Sequence, residues 1–89
     1  MKKWIQIWYS WGDQEHPVLV PDGVDPWEYL KQLVINEVDV YQEENPYGCG
    51  VWMHPDDQMA ELKYFGDNTY CYYLITDYPE YTIDNNGGG

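Results

Sequence analysis

Helical periodicity occurs in one stretch of the chain, from Asp25 to Asn45, and strand-like runs flank it on both sides. That single amphipathic stripe constrains the fold more than any other feature, because one helix covers one face of one sheet. In "DPWE", Asp25 suits the N-cap, Pro26 the first helical position and Glu28 the return arm of a capping box. Trp27, Leu30, Val34, Val38 and Tyr41 then recur at helical spacing, with Leu33 beside them, while Glu28, Gln32, Asp39 and Glu43 fall on the other side. Lys31 is placed to pair with Glu28 one turn back. Asn45 and Pro46 end the pattern. The β-branched run "VINEVDV" leaves the second half open to fraying or to an extended form.

"KKWIQIWYSW" alternates, with Ile5, Ile7 and Tyr9 on one face and Trp4, Gln6 and Trp8 on the other. "GDQEHP" is a turn cluster, and "VLV" is a short return strand between Pro17 and Pro21, as suits a sheet edge. After the helix, "CGVWMH", "QMAELKYF" and "TYCYYLIT" read as strands joined by turns at "PDD" and "GDN", and "EYTI" as a short further strand. The order is β-β-α-β-β-β, an α+β domain over residues 1–84 with a mainly antiparallel sheet, one helix on one face and a flexible glycine-rich tail at 85–89. The helix stripe is expected over Ile5, Ile7, Val51, Leu62 or its neighbours, and either Leu74 or Ile75. Trp4, Trp8, Trp52, Tyr70 and Tyr72 are then left for the open face, where rings pair across strands as ordinary sheet stabilisers or offer a contact platform.

Eighty-nine residues make one domain with a modest core, burying about 60–65% of the unfolded surface. The net charge is −12, with four Lys and no Arg. From Leu33 to Leu62 there are seven carboxylates and no Lys or Arg. Phosphate contact needs cations, so neither nucleic acid nor an anionic membrane is an expected partner. Basic protein surfaces are, and association with them is steered at low salt; the plain alternative is that the charge only confers solubility. The start "MKKWIQIWYSWGDQ" lacks the apolar run of a signal peptide, no run is long enough to span a bilayer, and two cysteines are too few for a disulfide framework, so a cytoplasmic location with reduced thiols is expected.

Catalytic and metal readings are weak. His54 with Asp56 and Asp57, and His16 with Asp13 and Glu15, read as solvated turns rather than metal sites. Ser10 has no evident base nearby, and Cys49, between glycines, has nothing to lower its pKa and reads as a buried structural thiol. No enzyme, metal or cofactor is expected.

The acidic pattern is distributed. Glu37, Asp39, Glu43 and Glu44 lie on the second half of the helix, Asp56 and Asp57 in one hairpin turn, Asp67 in the next, and Asp13 and Glu15 in the first loop. Carboxylates held in strips on a rigid fold imitate the regular charge of a nucleic acid, which would give the charge a use, with Tyr41 and Tyr47 as contact anchors at its edge. In size, charge, lack of Arg and fold class, the whole chain resembles the small acidic anti-defence proteins of phages and mobile elements, such as anti-CRISPR and anti-restriction DNA mimics. The resemblance implies an inhibitor acting inside a bacterial host cell, seated on the nucleic-acid site of a nuclease or defence complex.

Two further readings stand beside it. A hairpin, one helix, more strands and a terminal "GGG" resemble ubiquitin-like β-grasp modifiers and sulfur carriers, which implies Gly88 and Gly89 as the reactive end. Alternatively, the open sheet face, with Trp8 and Tyr72, binds a protein or forms a homodimer.

Overall fold

The computed structural model describes residues 2–79. The candidate strand at 80–83 and the tail carrying Gly88 and Gly89 lie outside the described residues. Within them, the elements are β1 (Trp4–Tyr9), β2 (Val18–Leu19), α1 (Pro26–Glu44), β3 (Cys49–His54), a single 3-10 turn (Pro55–Asp57), β4 (Met59–Tyr64) and β5 (Thr69–Thr76). The five strands form one antiparallel sheet in the order β2-β1-β5-β4-β3, with α1 across one face.

The helix starts as its capping residues dictate. The Asp25 carboxylate accepts the Glu28 N–H at 3.0 Å, with Pro26 at the first position. Lys31 pairs with Glu28 at 2.8 Å. The β-branched second half is helical to Glu44, because Val34, Val38 and Tyr41 keep their apolar edges on the sheet and tertiary packing outweighs propensity. The helix ends where the Asn45 N–H and side-chain amide both reach the Tyr41 carbonyl.

Register decides which residues share a face. Ile5 lies opposite Ile75, Ile7 opposite Tyr73 and Tyr9 opposite Cys71, and Cys71 and Tyr73 continue to Leu62 and Ala60 on β4. These residues and Met53 of β3 pack on the helix side, whereas Val51, expected under the helix stripe, is exposed beside a groove at the sheet edge. Ile75 therefore belongs to the helix side and Leu74 to the open side, settling the alternative that alternation left. Ile5, Leu30, Val34, Leu62 and Cys71 are fully buried between the layers.

The opposite face carries Trp8, Tyr72, Glu61 and Trp52 in one row across four strands, with Gln6, Leu74, Met59 and His54 in the next. Tyr70 and Tyr72 stack with centroids 6.2 Å apart, and Lys63 lies over the Tyr70 ring at 5.3 Å. Gln6, flanked by Trp4, Trp8 and Leu74, is only 4% exposed although α1 lies on the other face. The open-face side chains thus pack as a second, shallower cluster. No helix among the described residues is long and apolar enough to cross a membrane.

Candidate functional site

The sheet order places β1 beside β5, so the loop after Tyr9 lies next to the turn between β4 and β5. Ser10 fastens this junction: its N–H donates to the Tyr70 carbonyl at 2.9 Å and its hydroxyl accepts the Tyr70 N–H at 3.0 Å. The second half of α1 crosses the same end of the sheet. Between these three segments lies a cleft of about 440 Å³ lined by Asp13, Glu15, Glu37 and Asp67 together with Tyr9, Trp11, Tyr41 and Tyr64.

Aromatic donors orient the acids. The Tyr9 hydroxyl donates to Glu15 at 3.2 Å, the Trp11 indole N–H to Asp13 at 2.5 Å, and the Tyr64 hydroxyl to Glu37 at 2.8 Å. The donors are neutral, so they hold the carboxylates without cancelling their charge. Tyr9 and Trp11 stack at 4.5 Å, and Tyr41 and Tyr64 meet at 4.7 Å. Gly66 lets the β4–β5 turn close on the helix: a Cβ there would lie 3.1 Å from the Tyr41 hydroxyl and 3.2 Å from the Tyr47 ring.

Among the described residues, no Lys, Arg or His lines the cleft. Lys3 pairs with Asp77, Lys31 with Glu28, and Lys63 covers rings on the open face. The uncompensated field reaches the neighbouring phenols. Burial first, then Cys71, Glu15 and Glu37, pushes Tyr9 up, and burial and the Glu37 bond push Tyr64 up. Desolvation and Asp67 raise Tyr41. Paired rings beside fixed carboxylates are suited to a cationic side chain, above all a guanidinium, which stacks on a ring and takes a carboxylate with two parallel bonds.

The structure divides the residues that sequence reasoning grouped. Asp13, Glu15, Glu37 and Asp67 share the cleft with Tyr41. Glu43 and Glu44 are exposed in the last helical turn, where the helix dipole disfavours negative charge. Tyr47 is 72% exposed just beyond the helix. Asp39 lines a different groove, beside Val51 and Met53. Asp56 and Asp57 stand at the other end of the sheet, because the Pro55–Asp57 turn adjoins Ile75. Trp8 and Tyr72 are opposite each other on the open face.

His54 pairs with Glu61 across the β3–β4 ladder at 2.8 Å rather than with the turn carboxylates. Among the described residues no three His, Cys, Asp or Glu converge as metal ligands do. Cys49 is only partly buried, whereas Cys71 is fully so. Sequence reasoning did not single out Tyr9, Trp11 or Tyr64 for the site. The nearness of Trp11 to Asp13 in a turn was a usable local signal; Tyr64, 27 residues from Glu37, had none.

Comparison with protein families, curated proteins and solved structures finds no match. The reading of the site therefore rests on its geometry and charge.

Proposed function

We propose that this protein is an acidic inhibitor that binds a basic nucleic-acid-binding protein, such as a nuclease or defence complex of a bacterial host, by presenting carboxylates where that partner expects phosphates. The observation that carries the reading is the convergence of Asp13, Glu15, Glu37 and Asp67 from three separate segments around one cleft without a lining cation. Like charges gathered around one cleft oppose folding, and the cations of a basic partner would offset that repulsion. The partner's Arg or Lys side chains enter the cleft between the Tyr9–Trp11 stack and Glu37, while Glu43, Glu44 and Tyr47 extend the contact along the helix end. The protein acts by occupancy, with no catalytic step, metal or cofactor of its own.

The test is capture from a bacterial lysate on immobilised protein, eluted by a salt ramp and then by duplex DNA. A nucleic-acid-binding protein that leaves at moderate salt, is displaced by DNA and is not retained by a Glu15→Lys/Asp67→Lys variant is the expected result. A partner indifferent to DNA and to those reversals rejects the reading.

A second reading uses the open face, and the unbroken Trp8–Tyr72–Glu61–Trp52 row favours it. There the complex would resist salt and fail on substitution of Trp8 or Tyr72. Conjugation through Gly88 and Gly89 concerns residues outside those described.

A further inference from the structure

The two edges of the sheet are built differently. β2 is two residues long and lies between Pro17 and Pro21, a short and blunted edge. β3 is six residues long and contains no Pro, Asp, Glu, Lys or Arg, and its one ionisable side chain besides the Cys49 thiol, His54, pairs with Glu61 of β4. Residues 45–55 form a stretch without Asp, Glu, Lys or Arg in a chain of net charge −12. Among the described residues, no proline, lysine or covering element protects this edge.

The ladder defines what this edge offers. The Phe65 N–H donates to the Gly48 carbonyl at 3.2 Å, and Gly48 and Phe65 extend the Cys49–Tyr64 register by one step. Antiparallel alternation then turns the backbone groups of Gly50, Trp52 and His54 toward β4 and those of Cys49, Val51 and Met53 outward. Beside that edge, Val34, Ile35, Val38, Asp39, Val51 and Met53 line a groove of about 340 Å³ that is almost entirely apolar. Val51 is 38% and Trp52 47% exposed, so apolar surface lies on both sides of the strand.

We infer that β3 pairs antiparallel with β3 of a second copy, joining two five-stranded sheets into one. A strand pairing with itself satisfies two-fold symmetry. With Val51 opposite Val51 of the second copy, Cys49 falls opposite Met53, and all three outward-facing residues exchange their N–H and C=O groups. The same register sets Gly50 opposite Trp52 of the second copy, and each Gly50 is already covered by the Phe65 and Trp52 rings of its own chain. Charge selects a second copy at this edge: it is the neutral stretch of the chain, so two like-charged molecules meet here with least repulsion, and it gives a basic partner no carboxylate within the strand to bind. The pairing leaves the acidic cleft, which is built from other elements, accessible on each protomer.

The experiment is sedimentation equilibrium of the full chain across a concentration series at low and high salt, with amide hydrogen exchange at both ends of the series. The expected result is a monomer–dimer equilibrium that tightens with salt, opposite in sign to binding at the acidic cleft. The amides of Cys49, Val51 and Met53 gain protection as the dimer forms. Val51→Pro removes an outward N–H at an edge that tolerates proline, and should weaken the dimer by roughly tenfold or more. A chain monomeric throughout the series overturns the inference. So does a dimer in which those three amides stay unprotected, a readout that needs no variant to fold. Loss of partner capture with the dimer intact rejects the cleft reading alone, and a monomer that still captures its partner rejects this one alone.

Discussion

The Tyr64 hydroxyl donates a 2.8 Å hydrogen bond to Glu37, joining the end of β4 to the middle of α1. One bond thus serves two purposes: it clamps the helix to the sheet and it aims a carboxylate into the cleft. Replacing Tyr64 by Phe should cost about 1–2 kcal/mol, in the range of a partly buried bond to a charged group. Urea denaturation with an unchanged m-value checks this. Glu37→Gln keeps an acceptor for the phenol but removes the charge, so it should retain most of the stability and lose affinity for a basic partner.

Glu43 and Glu44 sit at the helix end that prefers cations, with no basic residue in the last turn. Lys at each should raise stability by about 0.3–1 kcal/mol per site at low ionic strength. If these positions extend the partner surface, the same substitutions weaken binding. Thermal melts paired with titration of a captured partner show both effects, and an unchanged affinity confines the contact to the cleft.

Neutralising Asp56 and Asp57 to Asn, at the far end of the sheet, should leave partner affinity within about twofold, because exposed charges beyond a Debye length are screened. Neutralising Asp13 and Asp67, which share the cleft, should lower affinity and its salt dependence together. Equal effects from both pairs would point to net charge rather than to the cleft.

Burial holds the Tyr9, Tyr64 and Tyr73 phenols above the ordinary phenol range and pushes the Cys71 thiol up to about 12. A raised folded pKa contributes stability that is complete below the unfolded value and is lost as pH rises through the folded one. The fold should therefore be insensitive to these groups at neutral pH and weaken as pH climbs above about 9, first through Cys71 and then through the phenols. Tyrosinate absorbance and circular dichroism recorded on one alkaline titration should show these phenols ionising together with unfolding.

The same burial makes Cys71 inert in the native state. A thiol reagent should label the partly buried Cys49 first and Cys71 only at the rate of opening of the sheet. Peptide-resolved labelling with time distinguishes the two, and early modification of Cys71 would contradict the packing described.

Among the described residues, the local pattern of the chain marked the elements, except for the second half of α1, which packing on the sheet decided. Asp25, Pro26 and Glu28 announce the start of α1, and Asn45 with Pro46 its end; "CGVWMH" and "TYCYYLIT" are strands over the residues that their composition marks. These signals are legible because capping, proline geometry and alternation act between residues a few positions apart. The same alternation placed Trp8 and Tyr72 away from the helix side, and the absence of Arg and the net charge of −12 are properties of composition alone. The cleft is of another kind. Asp13, Glu37 and Asp67 lie in three distant segments, and nothing near any of them in sequence refers to the others. They meet because β5 inserts between β1 and β4, which brings the first loop to the β4–β5 turn and sets α1 above both. The strand order also separates Asp56 and Asp57 from that group and, among the described residues, leaves β3 at the edge of the sheet. Residue chemistry was thus determined by the sequence, whereas proximity was decided by the tertiary structure, because long-range pairing is selected by burial of the whole helix face at once rather than by any local preference.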